Sequence, residues 1–398
     1  MKKVVVGISG GVDSSVAALI LKGQGYDVSG LYMINWHDTT GTLQGDCPWK
    51  DDLIFAELVA KKLKIKLHVV DFSEEYRKRV VDYMFSEYEV GRTPNPDVLC
   101  NREVKFDLFL DKAMELGADF IATGHYCKKT EDKINGTLIY KLLAGDDPNK
   151  DQSYFLCQLS QKQLEKALFP IGHMLKPEIR KIAAEHKLPT AEKKDSQGIC
   201  FVGKVDLPEF LQQKLEPVKG MVIEIPRKAR IFLQHQVEDY NKDFTDDELK
   251  HISTKIDFTQ VPGYRIGEHK GAHYYTIGQR KGLNIGGKEK PLFVLDTNIE
   301  KNIIYTGQGD DHKGLYRQGL FIKNEDIHWI RTDIKMGNDE TRYYDIRIRY
   351  RQPLQMGKLV MKKEGMYIIF KKPQRGVSPG QFAVWYLNNE LLGSGVIH

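Results

Sequence analysis

Apolar and polar residues alternate along the first half of the chain in blocks that predict strands and helices in turn. Strands are predicted at 4–8, 27–34, 65–71 and 119–123, and helices at 14–21, 51–63, 160–167 and 177–186. Strands that alternate with helices predict a parallel sheet covered on both faces. Ligands of such a sheet bind at the carboxyl ends of its strands.

A different pattern begins near residue 207. Short strand-like pieces with glycine, such as 263–269 and 274–280, predict a small β-rich region. The stretch 227–255 is polar and charged without a clear period, so we interpret it as an insertion or mobile excursion. From about residue 312 the chain alternates with a period of two, which predicts an all-β region, a small barrel. Three domains are therefore expected, at 1–206, 207–311 and 312–398.

The predicted strand 344–351 places arginines on one of its faces. The pleat separates Ile346, Ile348 and Tyr350 from Arg347, Arg349 and Arg351. A solvated strand face would have the same pattern. Further basic and aromatic residues follow it, namely Lys371, Lys372, Arg375, Trp385 and Tyr386. They favour a surface that contacts the phosphates of a nucleic acid.

The first predicted strand ends in the sequence S-G-G-V-D-S, from Ser9 to Ser14. A glycine pair lets the backbone approach a ligand, and the N–H groups at the start of the following helix favour phosphate. A P-loop would need a lysine after the glycines, and the dinucleotide fingerprint would need another glycine spacing. A turn without a ligand is the alternative. The S-G-G-V-D-S motif resembles the pyrophosphate-binding loop of the ATP-pyrophosphatase superfamily, whose members adenylate their substrates.

Composition limits the class of protein. Of 398 residues, 41% are hydrophobic and 28% are charged, with a formal net charge of +5. That charge is compatible with a nucleic-acid partner but too small to indicate one. No apolar run approaches the ~20 residues of a membrane span, and the first residues enter a strand rather than a signal peptide. We therefore expect a cytoplasmic protein without membrane association.

Five cysteines are spread along the chain, at Cys47, Cys100, Cys127, Cys157 and Cys200. This odd number and wide spacing are not typical of a secreted disulfide framework, and no C-x-x-C pair supports a zinc site. Cys127 and Cys157 are interpreted as small buried hydrophobes. Cys47 stays undecided.

Cys100 and Cys200 lie in polar, electropositive segments. Cys100 follows the turn R-T-P-N-P-D and stands at the expected start of a helix near Arg102 and Lys105, so we expect its pKa to be lowered. Asp97 is placed to orient or deprotonate a partner. Cys200 lies in D-S-Q-G-I-C-F after two lysines. Both thiols are therefore candidates for chemistry.

Seven motifs together resemble the bacterial tRNA-uridine 2-sulfurtransferases, also called tRNA-specific 2-thiouridylases. They are S-G-G-V-D-S-S at 9–15, N-P-D-V-L-C-N at 95–101, A-T-G-H-Y at 122–126, K-D-Q-S-Y-F-L at 150–156, D-S-Q-G-I-C-F at 195–201, H-Y-Y-T-I-G-Q-R-K-G-L at 273–283 and S-P-G-Q at 378–381. The resemblance implies an α/β parallel-sheet ATP-pyrophosphatase domain, a small β-rich central domain and a C-terminal β-barrel. The segment 227–255 is longer than this family leads us to expect.

The resemblance also implies an activity: ATP-dependent thiolation of the wobble uridine of tRNA, with adenylation of its C2 oxygen and release of AMP and pyrophosphate. It implies that ATP, with Mg²⁺, is bound by Gly7, Ile8, Ser9, Gly10, Gly11, Val12, Asp13, Ser14, Met33 and Gly124. It implies that the target base meets Asn95, Pro96 and Asp97. Further tRNA contacts are implied for His125, Lys150, Asp151, Gln152, Arg349, Tyr350 and Gln381.

For the sulfur, the resemblance implies a persulfide on Cys200 and a catalytic partner at Cys100, with Asp97 beside them. A transient disulfide would join the two cysteines, and a sulfur carrier or cysteine desulfurase would deliver the sulfur. Two other classes of protein are weighed against this. A ligase that adenylates a small molecule would need neither cysteine, and an RNA-binding protein with a vestigial loop would leave ATP intact. Thiolation of another uridine position or atom is a third possibility.

Overall fold

The computed structural model describes residues 1–37, 48–195, 198, 200, 202, 203, 205–234, 237 and 239–398. Cys47 and four members of the D-S-Q-G-I-C-F motif, Ser196, Gln197, Ile199 and Phe201, lie outside the described residues. The strands up to residue 206 are β1 (Lys3–Gly7), β2 (Asp27–Ile34), β3 (Leu67–Asp71), β4 (Phe120–Ala122), β5 (Cys127–Ile134), β6 (Thr137–Ala144) and β7 (Ala167–Leu168).

The helices of the same region are α1 (Val12–Gly23), α2 (Pro48–Leu63), α3 (Ser73–Tyr76), α4 (Asp82–Glu89), α5 (Pro96–Leu99), α6 (Phe109–Glu115), α7 (Gln161–Lys166) and α8 (Lys176–Glu185). Two π-helical segments, Arg77–Val81 and Cys100–Leu108, join α3 to α4 and α5 to α6. A 3-10 turn covers Ser153–Leu156. The predicted helices at 51–63, 160–167 and 177–186 are confirmed within a few residues.

The later strands are β8 (Gly220–Glu224), β9 (Tyr264–His269), β10 (Leu292–Asn298), β11 (Ile303–Gln308), β12 (Tyr316–Lys323), β13 (Ile327–Trp329), β14 (Thr341–Arg347), β15 (Gln355–Lys362), β16 (Gly365–Arg375), β17 (Phe382–Leu387) and β18 (Glu390–Val396). The later helices are α9 (Leu207–Leu211), α10 (Ile231–Gln234) and α11 (Asp246–Ser253). Further 3-10 turns lie at Phe258–Gln260, Ala272–Tyr274, Lys313–Leu315, Asn324–Asp326 and Thr332–Ile334.

The first sheet is parallel, with strand order β3-β2-β1-β4-β7. Both of its faces are covered, because Val4 and Val6 join one apolar core with α1 while Val5 joins another with the helices between 73 and 115. The carboxyl ends of β1, β2 and β4 therefore meet at one edge, beside the start of α1. The parallel α/β sheet predicted from the sequence is confirmed.

The other two sheets are mainly antiparallel. The central sheet has the order β10-β11-β8-β9, in which β8 pairs with β11 in parallel. The C-terminal sheet has the order β12-β16-β15-β14-β17-β18-β6-β5, with β13 paired to β18. The predicted change to β-rich structure is confirmed.

The hairpin of β5 and β6 connects the first region to the C-terminal sheet. Leu142 and Leu143 of β6 pair with Leu391 and Glu390 of β18. Apolar alternation does not predict this hairpin, since five of the eight residues of Cys127–Ile134 are charged. The barrel strands are thereby held against the sheet that carries the phosphate loop.

The interpretation of 227–255 as an excursion is wrong where the structure describes it. Thr245 caps α11 in a capping box with Glu248, and Leu249 and Ile252 pack with Val360, Tyr367 and Ile369 of the C-terminal sheet. The apolar residues of α11 are few and separated by charges, so the sequence period is weak although the helix has a buried face. Among the described residues, no helix is long and apolar enough to cross a membrane.

Candidate active site: a phosphate loop and two facing cysteines

The S-G-G-V-D-S segment forms a compact turn between β1 and α1. The Ser14 hydroxyl lies 3.1 Å from the Ser9 N–H and 3.2 Å from the Ser9 hydroxyl, and the Ser15 hydroxyl donates to the Gly11 carbonyl at 2.7 Å. These side-chain bonds fix the loop around the start of α1. Because the first N–H groups of a helix lack partners within the helix, the turn is suited to bind an anion.

Two glycines are required by close contacts. Gly10 has a φ of +72°, and a Cβ there would lie 2.2 Å from the Asp52 carbonyl oxygen. A Cβ on Gly124, just after β4, would lie 2.7 Å from the Ser14 nitrogen. The loop is therefore enclosed by backbone on two sides, and a larger residue at either position would displace it.

Gly7 ends β1, and the remaining residues implied in ATP binding fall into two groups. Ile8, Val12 and Met33 are buried core residues, between 1% and 8% exposed, and they position the loop through packing. Asp13 faces polar partners instead: it accepts hydrogen bonds from the Tyr126 hydroxyl at 2.7 Å and from the Lys176 ammonium at 2.8 and 2.9 Å.

The loop before Cys100 is held by the C-terminal barrel. Asn95 caps α5 by accepting from the Val98 N–H at 3.2 Å, and Pro96 occupies the first helical position. Gln381 donates to the carbonyl oxygens of Thr93 and Pro94 at 2.9 and 3.0 Å. The S-P-G-Q motif therefore orders the segment that contains Asn95, Pro96 and Asp97.

Cys100 and Cys200, from segments far apart in the sequence, meet in the structure. The Cys100 and Cys200 thiols lie within hydrogen-bonding range of each other, and both are free thiols. Two contacts place Cys200: its N–H donates to Asp97 Oδ1 at 3.0 Å, and its carbonyl accepts from the Tyr76 hydroxyl at 2.6 Å. Sulfur exchange between the two thiols therefore needs no long-range movement.

The expectation of a lowered pKa at Cys100 is wrong. The helix begins at Pro96, so Cys100 lies inside it with its side chain 0% exposed. Burial, together with Cys200, raises the pKa of the Cys100 thiol well above its usual value. The hydrogen bond from Cys100, followed by the Lys105 ammonium, lowers the pKa of Cys200 although burial opposes this. Cys200 is thus the more easily ionised thiol.

Lys105 and Asp97 complete the surroundings of the thiols. In the π-helical segment Cys100–Leu108, hydrogen bonds that span five residues stack Lys105 next to Cys100. Burial disfavours the charge of Lys105, but Cys200 and Cys100 raise its pKa above the usual value. Burial raises the pKa of the Asp97 carboxyl, although the hydrogen bond from the Cys200 N–H and the charge of Lys105 act to lower it. The site therefore contains one cation together with two thiols and a carboxyl group that can exchange protons.

The three residues of the K-D-Q motif are all bound to other parts of the protein. Lys150 pairs with Asp195 at 2.6 Å, and Asp151, 6% exposed, pairs with Arg347 at 3.0 Å. Gln152 accepts from the Tyr126 N–H at 3.1 Å. His125 is also buried, with Nδ1 2.8 Å from the Thr123 hydroxyl, and burial, followed by Lys105, lowers its pKa well below the usual value.

The predicted row of arginines along one strand face is wrong. Strand β14 ends at Arg347, whose side chain is 13% exposed and pairs with Asp151, and Arg351 has a φ of 63° in the following turn. Trp385 and Tyr386 are 0% and 1% exposed, so they belong to the core. Arg349, half-buried, donates to the Arg375 carbonyl, and Tyr350 packs on Phe155 with ring centroids 4.3 Å apart.

Comparison with known proteins decides the family. Three family descriptions match in order: "tRNA methyl transferase HUP domain" at 2–204, "tRNA methyl transferase PRC-barrel domain" at 242–308 and "Aminomethyltransferase beta-barrel domain" at 320–397. The tRNA-specific 2-thiouridylase MnmA of Christiangramia forsetii is 58% identical over 397 residues, covering 100% of both chains. That of Flavobacterium johnsoniae is 56% identical with the same coverage. The chain belongs to the tRNA-specific 2-thiouridylase family.

Membership in the tRNA-specific 2-thiouridylase family confirms the resemblance drawn from the seven motifs. It also confirms the expected class of enzyme, a sulfurtransferase that acts on tRNA. A solved 4-thiouridine synthetase–RNA complex with bound ATP covers 53% of this chain and 50% of its own at 18% identity, with a TM-score of 0.33.

The structure identifies several residues of this candidate site that the sequence patterns do not single out. They are Tyr76, Tyr126, Lys176, Arg180 and Lys193, which bind Cys200, Asp13, Asp195 or the loop carbonyl of Gly10. Tyr126 ends the A-T-G-H-Y motif and Lys193 stands just before D-S-Q-G-I-C-F, so these two could have been selected from the sequence. Lys176 and Tyr76 lie in ordinary helical sequence that gives no such signal. The predicted burial of Cys127 and Cys157 is confirmed, at 0% exposure each.

Proposed function

We propose that this protein uses ATP to replace the C2 oxygen of the wobble uridine of tRNA with sulfur. The contact between the Cys100 and Cys200 thiols beside Asp97 carries this proposal, because two facing thiols are what release of sulfur from a persulfide requires. Relatives that are 56% and 58% identical over the whole chain are named tRNA-specific 2-thiouridylases.

In the first step, the uridine C2 oxygen would attack the α-phosphorus of ATP. The bond to the β-phosphate breaks, and pyrophosphate leaves with the electron pair. The loop of Ser9 to Ser14 would hold that pyrophosphate through backbone N–H groups at the start of α1. Mg²⁺ bound to the phosphates would neutralise developing charge. Asn95, Pro96 and Asp97 would position the base.

In the second step, sulfur would reach the base through both cysteines. Cys200 first acquires a persulfide from a sulfur carrier or cysteine desulfurase, and its lowered pKa suits it to act as the accepting thiolate. The Cys100 thiolate then attacks Sγ of Cys200, so a Cys100–Cys200 disulfide forms and the terminal sulfur leaves as hydrosulfide. Hydrosulfide adds to C2 and AMP leaves. A dithiol reductant then reopens the disulfide.

Asp97 is the proposed base for Cys100. Burial raises the pKa of its carboxyl, which brings proton transfer from a thiol within reach. Contacts with the rest of the tRNA are proposed for His125, Lys150, Asp151, Gln152, Arg349, Tyr350 and Gln381. Six of these side chains, those other than Tyr350, have polar partners within the protein. The RNA would therefore replace those partners or bind the polar atoms that remain.

The domain limits 1–206, 207–311 and 312–398 are proposed as the working division of this enzyme. They are supported by matched family ranges that end at 204, span 242–308 and begin at 320. The substrates, tRNA and ATP, support the cytoplasm as its location.

The test is an incubation of the purified protein with ATP, Mg²⁺, sulfide and unmodified tRNA. AMP formation together with 2-thiouridine in the digested tRNA, measured by mass spectrometry, is the expected result. AMP without modified RNA would indicate a ligase for a small molecule. Bound tRNA with intact ATP would indicate an RNA-binding protein, and 4-thiouridine would show that another atom is thiolated.

A further inference from the structure

Lys176 stands between the phosphate loop and the segment that leads to Cys200. Its ammonium lies 2.8 and 2.9 Å from the two carboxylate oxygens of Asp13 and 2.8 Å from Asp195 Oδ1. One cation is therefore shared by two carboxylates, of which one belongs to the loop and the other comes five residues before Cys200 in the sequence.

The position of Lys176 is fixed by the fold. Its backbone N–H donates to the buried carboxylate of Asp147 at 2.9 Å, and α8 begins at this residue. The whole residue is only 9% exposed, and its ammonium lies 5.8 Å from the centre of the Tyr126 ring. The ammonium therefore cannot move far from the loop, although it can move between partners.

Asp195 holds three cations at once. Lys150 lies at 2.6 Å, and Lys176 and Arg180 each lie at 2.8 Å. Burial opposes ionisation of Asp195, but the hydrogen bonds from Lys150 and Lys176 outweigh it and lower its pKa to about 2. Asp195 can therefore lose Lys176 and remain charge-compensated by Lys150 and Arg180.

A polyphosphate in the loop would meet the Asp13 carboxylate, and like charges at short range repel. An ammonium at the same place offsets that repulsion and binds phosphate directly. Lys193, a second ammonium at the loop among the described residues, is already bound to the Gly10 carbonyl at 3.1 Å and to Asp52. Lys176 is therefore the cation for which a polyphosphate and Asp195 would compete.

We propose that Lys176 binds the polyphosphate of ATP and that Asp195 restrains it until ATP arrives. This inference rests on the proposed use of ATP by the loop. Coupling between two binding events is reciprocal. Any event that draws Asp195 away from Lys176 therefore strengthens ATP binding. In the other direction, ATP binding removes Lys176 from the three cations that pair with Asp195. Occupancy of the loop is thereby linked to the segment that carries Cys200.

Substitutions of Lys176 and of Asp195 should change the affinity for ATP in opposite directions. Lys176→Gln should weaken binding of ATP by about tenfold or more, because Asp13 is left uncompensated. Asp195→Asn should tighten binding about threefold to tenfold, because Lys176 is freed. In the double variant, Asp195→Asn should change the affinity by less than about twofold, since its effect acts through Lys176.

The measurement is calorimetric titration of the full-length protein with ATP and Mg²⁺, repeated with inorganic pyrophosphate. Glu185→Gln is the matched control, because it removes the same charge at the exposed end of α8 and should leave the affinity within about twofold. Misfolding can only weaken binding, so tightening by Asp195→Asn cannot arise from damage to the fold.

Wild-type affinity with Lys176→Gln, or tightening by Asp195→Asn that persists in the double variant, would overturn the inference. Equal tightening by Glu185→Gln would do the same, because it would show a general effect of net charge. If the wild-type protein itself binds neither ATP nor pyrophosphate, the proposed function fails at its first step. That result is distinguishable, since it appears before any variant is compared.

Discussion

The phosphate loop and the cysteine pair obtain their geometry in different ways. In the loop, Ser9, Gly10, Gly11 and Ser14 are neighbours in sequence, and hydrogen bonds among Ser9, Gly11 and Ser14 set the turn. The cysteine pair joins two distant segments, and its geometry depends on Asp97 and Tyr76 as much as on the thiols. The loop is thus a local motif, whereas the chemistry of the thiols is a property of the tertiary fold.

The two sites should be separable by mutation. Replacing either Cys100 or Cys200 with serine should lower thiolation of tRNA by about a thousandfold or more, because a covalent partner is lost. ATP affinity should stay within about twofold of wild type. Mass spectrometry of digested tRNA and calorimetry with ATP measure the two quantities. Full retained thiolation by Cys200→Ser with a persulfide donor would contradict the assigned role.

The loop should be sensitive to a single methyl group. Gly10→Ala places a Cβ 2.2 Å from the Asp52 carbonyl at a φ of +72°, a strain of about 1–3 kcal/mol. We expect ATP affinity to fall by about tenfold or more, with the reactivity of Cys200 unchanged. Gly23→Ala is the matched control, since a Cβ there meets nothing within 4 Å. Equal loss of affinity in both variants would show that the loop geometry is not the cause.

The cysteine site should be sensitive to a single charge. Lys105→Met should raise the pKa of Cys200 and slow its alkylation at neutral pH by about threefold to tenfold. The rate should recover at higher pH, because a raised pKa moves ionisation upward. The pH dependence of iodoacetamide labelling, followed for the Cys200 peptide by mass spectrometry, measures this. Lys112→Met, at an exposed ion pair with Glu115, is the control, and an identical pH profile in both variants would exclude Lys105.

The smallest effect concerns RNA contacts outside both sites. Arg349→Gln should reduce the slope of log tRNA affinity against log salt by about 0.7–0.9, the share of one phosphate contact. Arg347→Gln removes the same charge from a buried ion pair with Asp151 and should leave the slope unchanged. Filter binding at several salt concentrations distinguishes them. Equal slopes for Arg349→Gln and the wild type would remove Arg349 from the interface.

The same contrast explains what the sequence could predict. The strand, loop and helix around Ser9 to Ser14 follow from apolar period and glycine spacing within twenty residues, and they are confirmed. The pKa of Cys100 was expected in the wrong direction, because a rule about helix ends was applied to a residue that the fold buries inside the helix. Burial and the opposite thiol are contributed by residues that no local pattern reveals.

The predicted row of Arg347, Arg349 and Arg351 gives a second example. Alternation correctly placed Ile346 and Ile348 in the core, but it could not show that Asp151, nearly two hundred residues earlier, compensates Arg347. Lys176 and Tyr76 give no sequence signal for the same reason, since each acts through a partner in another element. Local sequence predicts the elements and the motifs, and long-range pairing sets their charges.

The central claim is that Cys100 and Cys200 act as a pair on sulfur during tRNA thiolation. The most direct measurement is a single turnover of protein persulfidated on Cys200, with ATP, Mg²⁺ and tRNA but no reductant, followed by mass spectrometry under non-reducing conditions. The account predicts a peptide cross-linked through Cys100 and Cys200 in a one-to-one ratio with 2-thiouridine. Formation of 2-thiouridine without that cross-link would contradict it.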